Sequence, residues 1–228
     1  VRPGKVMCLA GENGCGKSTL VKIISGVYTK DEGTVTFEGK EITKITPAEA
    51  TRLGIQVIYQ DLSIFPNLTV RENLAINSEI TAGRKLVNRK RWDETARAAL
   101  AKVGCDIDLD AKMGDLNVAS KQLVAICRAM LFNAKLIIMD EPTTALTKKE
   151  VDALFVTVRQ LRDAGIAIMF ISHKTDEIFE ISDDVCIMRS GVNVYTGETK
   201  NLTRKEYTKY LTGRDIEDDY FIPKNISE

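Results

Sequence analysis

Among its 228 residues the sequence has a single histidine, and its five cysteines include no C-x-x-C pair. The odd count and the scatter of Cys8, Cys15, Cys105, Cys127 and Cys186 leave no disulfide framework, which suits reduced thiols in a cytosol. A charge excess is also missing, with 32 basic and 32 acidic residues. Whole-chain electrostatics therefore give no argument for nucleic acid or an anionic membrane, and no nucleic-acid partner is expected. The basic stretch Arg84, Lys85, Arg89, Lys90 and Arg91 reads as the solvated start of a helix. No apolar run approaches membrane-spanning length, no signal-peptide pattern is seen, and no internal repeat is found. A soluble chain is expected, one able to dock on a membrane protein.

The length suits one compound domain or two small ones with a sizeable core. The opening VRPGK runs straight into an apolar strand, and the ending DIEDDYFIPKNISE is acidic. Both read as parts of a longer polypeptide, with 214–228 as a tail or linker.

What is present is concentrated in residues 5–20, KVMCLAGENGCGKSTL. An apolar run over 6–10 predicts a buried parallel strand. Gly11 to Ser18 then match the phosphate-loop pattern G-x-x-x-x-G-K-S/T, and Leu20, Ile23, Ile24 and Val27 follow at helical spacing. Glycines let backbone N–H groups wrap a phosphate oxygen, and the helix start aims its unpaired N–H groups and positive dipole at the same anion. Lys17 is expected to reach the β- and γ-phosphates and the Ser18 hydroxyl to hold Mg²⁺. Nucleoside triphosphate binding follows. Cys15 lies inside this loop, so thiol reagents are expected to block nucleotide binding there.

Further along, 34–38 reads as a half-exposed strand, 47–53 as a helix with Pro47 near its start, and 55–59 as another strand. From 61 to about 133 the pattern turns helical. Thr69 and Glu72 form a capping-box pair, 91–103 is an Ala-rich helix, and Leu123, Ile126, Cys127, Met130 and Leu131 supply the next apolar face. Strands return at 136–139, 166–171 and 185–188. The first two enclose a helix with Val151, Leu154, Phe155, Val158 and Leu161 on one side. Residues 191–197 suggest a terminal hairpin, and 204–211 a last helix. Apolar strands alternating with helices predict an α/β fold with a mainly parallel sheet covered on both faces. The domain division expected is a discontinuous core over 1–60 and 135–213, with a helical subdomain inserted at 61–134.

Chemistry-bearing residues fall at strand ends. Four apolar residues, 136–139, run into Asp140 and Glu141, so a buried strand presents two acids at its carboxyl end, where ligands bind in open α/β sheets. Asp140 would hold Mg²⁺ and Glu141 would polarise an attacking water. His173 directly follows the strand IAIMFIS, and Gln60 ends another strand, where its amide is a candidate contact for Mg²⁺ or water.

The order GENGCGKSTL, YQDLSIFPNLTVREN, LNVASKQ, LIIMDEPTTALT and ISHKTDEIFEI resembles the nucleotide-binding domains of ABC transporters over nearly the whole chain. Within them it is similar to the bacterial sugar-importer subgroup that carries ribose-, galactose- and xylose-type substrates, and to the first of that subgroup's two ATP-binding halves. The resemblance implies a P-loop NTPase core that binds ATP with Mg²⁺ through Gly11, Asn13, Gly14, Gly16, Lys17, Ser18 and Thr19. It implies Mg²⁺ contacts from Ser18, Gln60 and Asp140, Glu141 as general base, and γ-phosphate contacts from His173 and Gln60. The usual LSGGQ signature, which faces the opposite site of a paired domain, is here Leu116, Asn117, Val118, Ala119 and Ser120, and the loop after Glu141 ends in Thr147 where the family carries Asp. Implied partners are a second nucleotide-binding domain on the same polypeptide, transmembrane permease subunits and, indirectly, a periplasmic or extracellular sugar-binding protein. The implied location is cytoplasmic, peripheral on the inner face of the membrane. The adenine-stacking aromatic residue of the family would precede residue 1. A regulatory domain that binds ATP without turnover, and a non-transport ABC ATPase, remain as alternative readings.

Overall fold

The structure, a computed structural model, describes residues 1–81 and 88–214. Strand β1 (Val6–Ala10) leads through the glycine loop into α1 (Lys17–Ile24). A two-stranded antiparallel hairpin, β2 (Val35–Phe37) and β3 (Lys40–Ile42), precedes α2 (Pro47–Leu53) and β4 (Ile55–Ile58). Three helices follow: α3 (Val70–Thr81), α4 (Arg89–Val103) and α5 (Val118–Leu131). The chain then returns through β5 (Leu136–Asp140), α6 (Lys148–Asp163), β6 (Ala167–Ile171), α7 (Thr175–Ile181), β7 (Asp184–Arg189), β8 (Val192–Glu198) and α8 (Arg204–Thr212).

The six-stranded sheet runs β4-β5-β6-β1-β7-β8, parallel throughout except for β8. Its central strands are continuous apolar runs because helices cover both faces. Ile137, Ile138, Met139, Ile168, Phe170 and Ile171 have no exposed surface. Register decides what meets at the carboxyl edge. Leu9 lies beside Ile171, Asp140 beside Ile171 on the other side, and Ile58 beside Met139. The glycine loop, Gln60, the Asp140–Glu141 pair and His173 therefore leave the sheet at one level.

One apolar cluster joins Leu74, Leu100, Val124 and Ile126 of α3–α5 to Phe155 of α6 and Phe170 of β6. Phe155 and Phe170 meet edge to face at 5.8 Å between ring centroids. The helices between β4 and β5 thus share a core with the sheet. Arg71, 7% exposed, pairs with Asp93 and Asp110 and so ties α3 to α4 and to the segment before α5.

Several expectations need correction. The terminal hairpin is present, but 191–197 supply only part of its turn and its second arm: they belong mostly to β8, which folds back on β7 through Ser190 and Gly191. Helix α1 stops at Ile24, and Val27 lies beyond it, 49% exposed, because Gly26 takes a left-handed φ of 77°. The α5 stripe is broader than Leu123, Ile126, Cys127, Met130 and Leu131: Val124, Ala125 and Ala129 are buried too, since both α4 and the sheet lie against this helix. Arg84, Lys85 and 215–228 fall outside the described residues, while Arg89, Lys90 and Arg91 open α4 as expected. Among the described residues no helix is long and apolar enough to cross a membrane.

Candidate functional site

The loop after β1 is shaped by backbone conformations that favour glycine. Gly11, Gly14 and Gly16 have φ of 154°, 80° and 104°. A Cβ on Gly11 would strike Cys15 Sγ and the Met188 carbonyl oxygen, whereas one on Gly14 would meet nothing within 4 Å. Gly14 is open to whatever the loop holds. Gly16 caps α1 with no side-chain bond, so the first-turn N–H groups of Lys17, Ser18 and Thr19 have no intrahelical acceptor. The loop is a concavity of N–H donors at a helix N-terminus, which is an anion site. Lys17 is 7% exposed, and its Nζ donates to the carbonyls of Gly11 at 2.7 Å and Glu12 at 2.9 Å. Asn13, Gly14, Ser18 and Thr19 are exposed on the same loop and first turn. The Cys15 thiol is not on that open face. It is buried behind Gly11, which leaves a bulky thiol reagent little access.

Opposite the loop, Asp140 is half-buried at the end of β5. Burial pushes its carboxyl above the ordinary aspartate value, neighbouring Glu141 adds to this, and Lys17 opposes it. Asp140 and Gln60 line one open cleft with Tyr59, Asp61 and Ser63. The Gln60 amide and the Asp140 carboxylate there, and the Ser18 hydroxyl on the first turn of α1, are hard oxygen donors, a set that fits Mg²⁺. Among the described residues no group of three His, Cys, Asp or Glu side chains is placed to hold a metal. A protein-only cage is therefore absent there, and Mg²⁺ would need phosphate oxygens and water to complete its shell.

Glu141 leaves the strand in a left-handed conformation, φ 47°, uncommon for a residue with a side chain. Its N–H donates to Ile171 O at 3.1 Å, and its carbonyl accepts from Thr144 Oγ1 at 3.2 Å. Glu141 Oε1 lies 3.1 Å from His173 Nδ1. Among the described residues, His173 Nε2 has no hydrogen bond.

Local sequence reading missed the scaffold behind this pair. Glu177 of α7, only 8% exposed, accepts from Thr143 Oγ1 at 2.7 Å and Ser172 Oγ at 2.8 Å, and pairs with Lys174 at 3.0 Å. It ties the loop after Glu141 to the loop bearing His173. The one available signal was that Glu177 sits four residues before the apolar Ile181, on the buried face of α7. Arg128 of α5 was missed as well. It donates to the carbonyls of Ser63 at 2.8 Å and Leu62 at 3.2 Å, where both residues have positive φ just after Gln60. Asn73, fully buried, accepts from Phe65 N at 2.9 Å and donates to Phe65 O at 3.0 Å, which holds the next part of the same loop.

Leu116, Asn117, Val118, Ala119 and Ser120 open α5. Asn117 caps that helix by accepting from Ser120 N at 2.8 Å. Among the described residues no hydrogen bond joins this segment to the glycine loop, Glu141 or His173. Thr147 caps α6, with Glu150 completing a reciprocal capping box. The side-chain oxygen at each position is spent on its helix start.

A parallel sheet with a glycine-lysine loop, a carboxylate pair and a histidine at its carboxyl edge defines a nucleotide-binding protein of the P-loop class. The sequence profile described as ABC transporter matches residues 1–144, and the chain belongs to that family. A ribose import ATP-binding protein, RbsA, from Clostridium perfringens is 44% identical over 220 residues, which is 95% of this chain and 44% of that protein. RbsA from Geobacillus kaustophilus is 42% identical over 217 residues, again 95% of this chain and 44% of the relative. The chain spans less than half the length of these curated relatives. A crystal structure of the ADP conformation of an ABC transporter's ATP-binding cassette has a TM-score of 0.75 at 33% identity, covering 87% of this chain and 84% of that one.

Proposed function

We propose that this chain is the ATP-hydrolysing cassette of a sugar importer and supplies the first of two nucleotide-binding halves of a longer polypeptide. The observation that carries the hydrolytic reading is the 3.1 Å contact between His173 and Glu141, at the same sheet edge as the Lys17 loop. In this reading Gly11, Asn13, Gly14, Gly16, Lys17, Ser18 and Thr19 bind the phosphates. Glu141 takes the proton of the attacking water, and His173 bridges that carboxylate and the γ-phosphate. Ser18, Gln60 and Asp140 would hold Mg²⁺, which when bound neutralises charge on the β- and γ-phosphates.

The proposed division is a core of 1–60 and 135–213, a helical subdomain of 61–134 and a linker from 214. Leu116, Asn117, Val118, Ala119 and Ser120 face the second cassette's nucleotide. That cassette in turn covers the site built on Lys17. Permease subunits would dock at the cleft lined by Arg52, Phe65, Arg128 and Phe132, next to the Gln60 loop that Arg128 clamps. The cassette would then lie on the cytoplasmic face of the membrane, and a sugar-binding protein would act on the far side. The sugar class rests on the relatives named for ribose import.

The test is steady-state Mg-ATPase activity of the chain alone and with its second cassette, each beside Glu141→Gln. The expected result is weak turnover alone, a rise with the second cassette, and loss of that rise in the variant. Full activity alone would overturn the split-site arrangement. Tight ATP binding with no turnover in either form would overturn hydrolysis in favour of a binding-only domain.

A further inference from the structure

Two thiols outside the nucleotide site lie in van der Waals contact. Cys105 Sγ, just past the C-terminus of α4, is 3.7 Å from Cys127 Sγ in the middle of α5. Cys105 is half-buried and Cys127 fully buried. Cys105 also lines a cavity of about 380 Å³ between α5 and α6, whose other walls include Leu123, Leu154 and Thr157. That cavity gives a small oxidant a route to its sulfur. Because Gly104 has a left-handed φ of 71°, the chain turns at the helix end and carries Cys105 back over α5. A disulfide needs the sulfurs at about 2.05 Å, so closing it requires them to approach from 3.7 Å.

We propose that Cys105 and Cys127 are a peroxide-reactive dithiol that closes reversibly to an intramolecular disulfide. The Cys105 thiolate attacks one oxygen of hydrogen peroxide, breaking the O–O bond, giving the Cys105 sulfenic acid and releasing hydroxide. The Cys127 sulfur then attacks the Cys105 sulfur, its proton leaves, and the sulfenic oxygen departs as water. The two thiols together lose two electrons and two protons, and the peroxide is reduced to two waters. The order of attack follows from the environment. The hydrogen bond between the two thiols holds Cys105 below its ordinary value, while that bond and burial push Cys127 up. The more exposed sulfur is the nucleophile, and the buried one resolves it.

The bond would close residues 105–127 into a loop holding Leu116, Asn117, Val118, Ala119 and Ser120. On the function proposed above, oxidation would therefore stiffen the segment that faces the second nucleotide. The dithiol chemistry itself does not depend on that reading.

The test is brief hydrogen peroxide treatment of the folded chain, followed by alkylation under denaturing conditions and non-reducing peptide mass spectrometry. The expected product is a peptide pair joined through Cys105 and Cys127, two hydrogens lighter and reversed by dithiothreitol, with Cys8, Cys15 and Cys186 alkylated. Cys127→Ser is expected to leave a sulfenic acid at Cys105 that dimedone captures, and Cys105→Ser to leave Cys127 unoxidised. Recovery of both wild-type cysteines as alkylated thiols would overturn the proposal, as would oxidation of Cys105 to the sulfinic acid without the crosslink. Nucleotide binding is not part of this readout, so failure here is distinguishable from failure of the ATPase reading.

Discussion

His173 Nδ1 meets Glu141 Oε1 at 3.1 Å across two neighbouring strand ends, although 32 residues separate them in the chain. Strand register brings them together, since Asp140 lies beside Ile171. If they act as one unit, removing either disables the other. Glu141→Gln and His173→Ala are each expected to lower turnover about 10²–10⁴-fold, and the double variant no further than the worse single one. ATP affinity is expected to hold in Glu141→Gln and to weaken in His173→Ala and the double variant, which lose the proposed γ-phosphate contact. Mg-ATPase rates with the second cassette present, beside equilibrium nucleotide binding, check both statements. Multiplicative losses in the double variant would mean the two residues act independently.

Glu177 positions this pair through Thr143 and Ser172. Glu177→Ala leaves two hydroxyls and Lys174 without their shared partner, a loss of about 2–3 kcal/mol for a buried charged network. Chemical denaturation reads that cost. The positioning role is read separately, as a fall in kcat with little change in KM.

Asp140 carries opposite signs for stability and binding. Its folded value is raised, so stability is fully present below the ordinary aspartate value and is lost as pH rises through the folded value. Asp140→Asn is therefore expected to raise the melting temperature at neutral pH and to leave it unchanged well below the aspartate range. The same variant should lose Mg²⁺-dependent nucleotide binding. A lower melting temperature at neutral pH would show that the carboxylate is stabilised by contacts outweighing its burial.

Four threonine–glutamate capping boxes set the acid limb of stability: Thr46–Glu49, Thr69–Glu72, Thr147–Glu150 and Thr203–Glu206. In each, hydrogen bonds from the threonine hold the glutamate below its ordinary value of 4.5. That stabilisation is present above the ordinary value and lost as pH falls through the lowered one. Thr147→Ala removes one box at a cost of about 1 kcal/mol. Its destabilisation, measured by denaturant melts, should shrink as the medium is acidified below the glutamate range.

Two glycines of one loop should respond differently. Gly11→Ala meets the buried Cys15 sulfur and the Met188 carbonyl, so both melting temperature and nucleotide affinity should fall. Gly14→Ala meets no neighbour and costs only its backbone strain, about 1–2 kcal/mol. Thermal melts of the two variants, beside nucleotide titrations, separate clash from strain.

The residues that gather at the candidate site were legible where chemistry and local pattern coincide. The glycine loop with Lys17, and a strand running into Asp140 and Glu141, are contiguous and carry their own warrant. The β2–β3 hairpin was only half legible, because Lys40–Ile42 has two charged residues in three and pairs by turn geometry rather than by burial. Glu177 and Arg128 were illegible as site residues, since their partners lie 34 and 65 residues away. Asn117 and Thr147, read as departures from a family pattern, turned out to be helix caps, a role that any short side chain with an acceptor oxygen fills.

By itself the sequence determined which segments are buried strands, where the phosphate loop opens a helix, and which acids end a strand, because each follows from neighbours within a few positions. Tertiary structure alone decided that β1 lies between β6 and β7, and with it that His173 reaches Glu141, that Arg128 clamps the Gln60 loop and that Cys105 touches Cys127. Those contacts depend on sheet order and helix packing, which are set by the summed burial of many apolar side chains rather than by any short stretch.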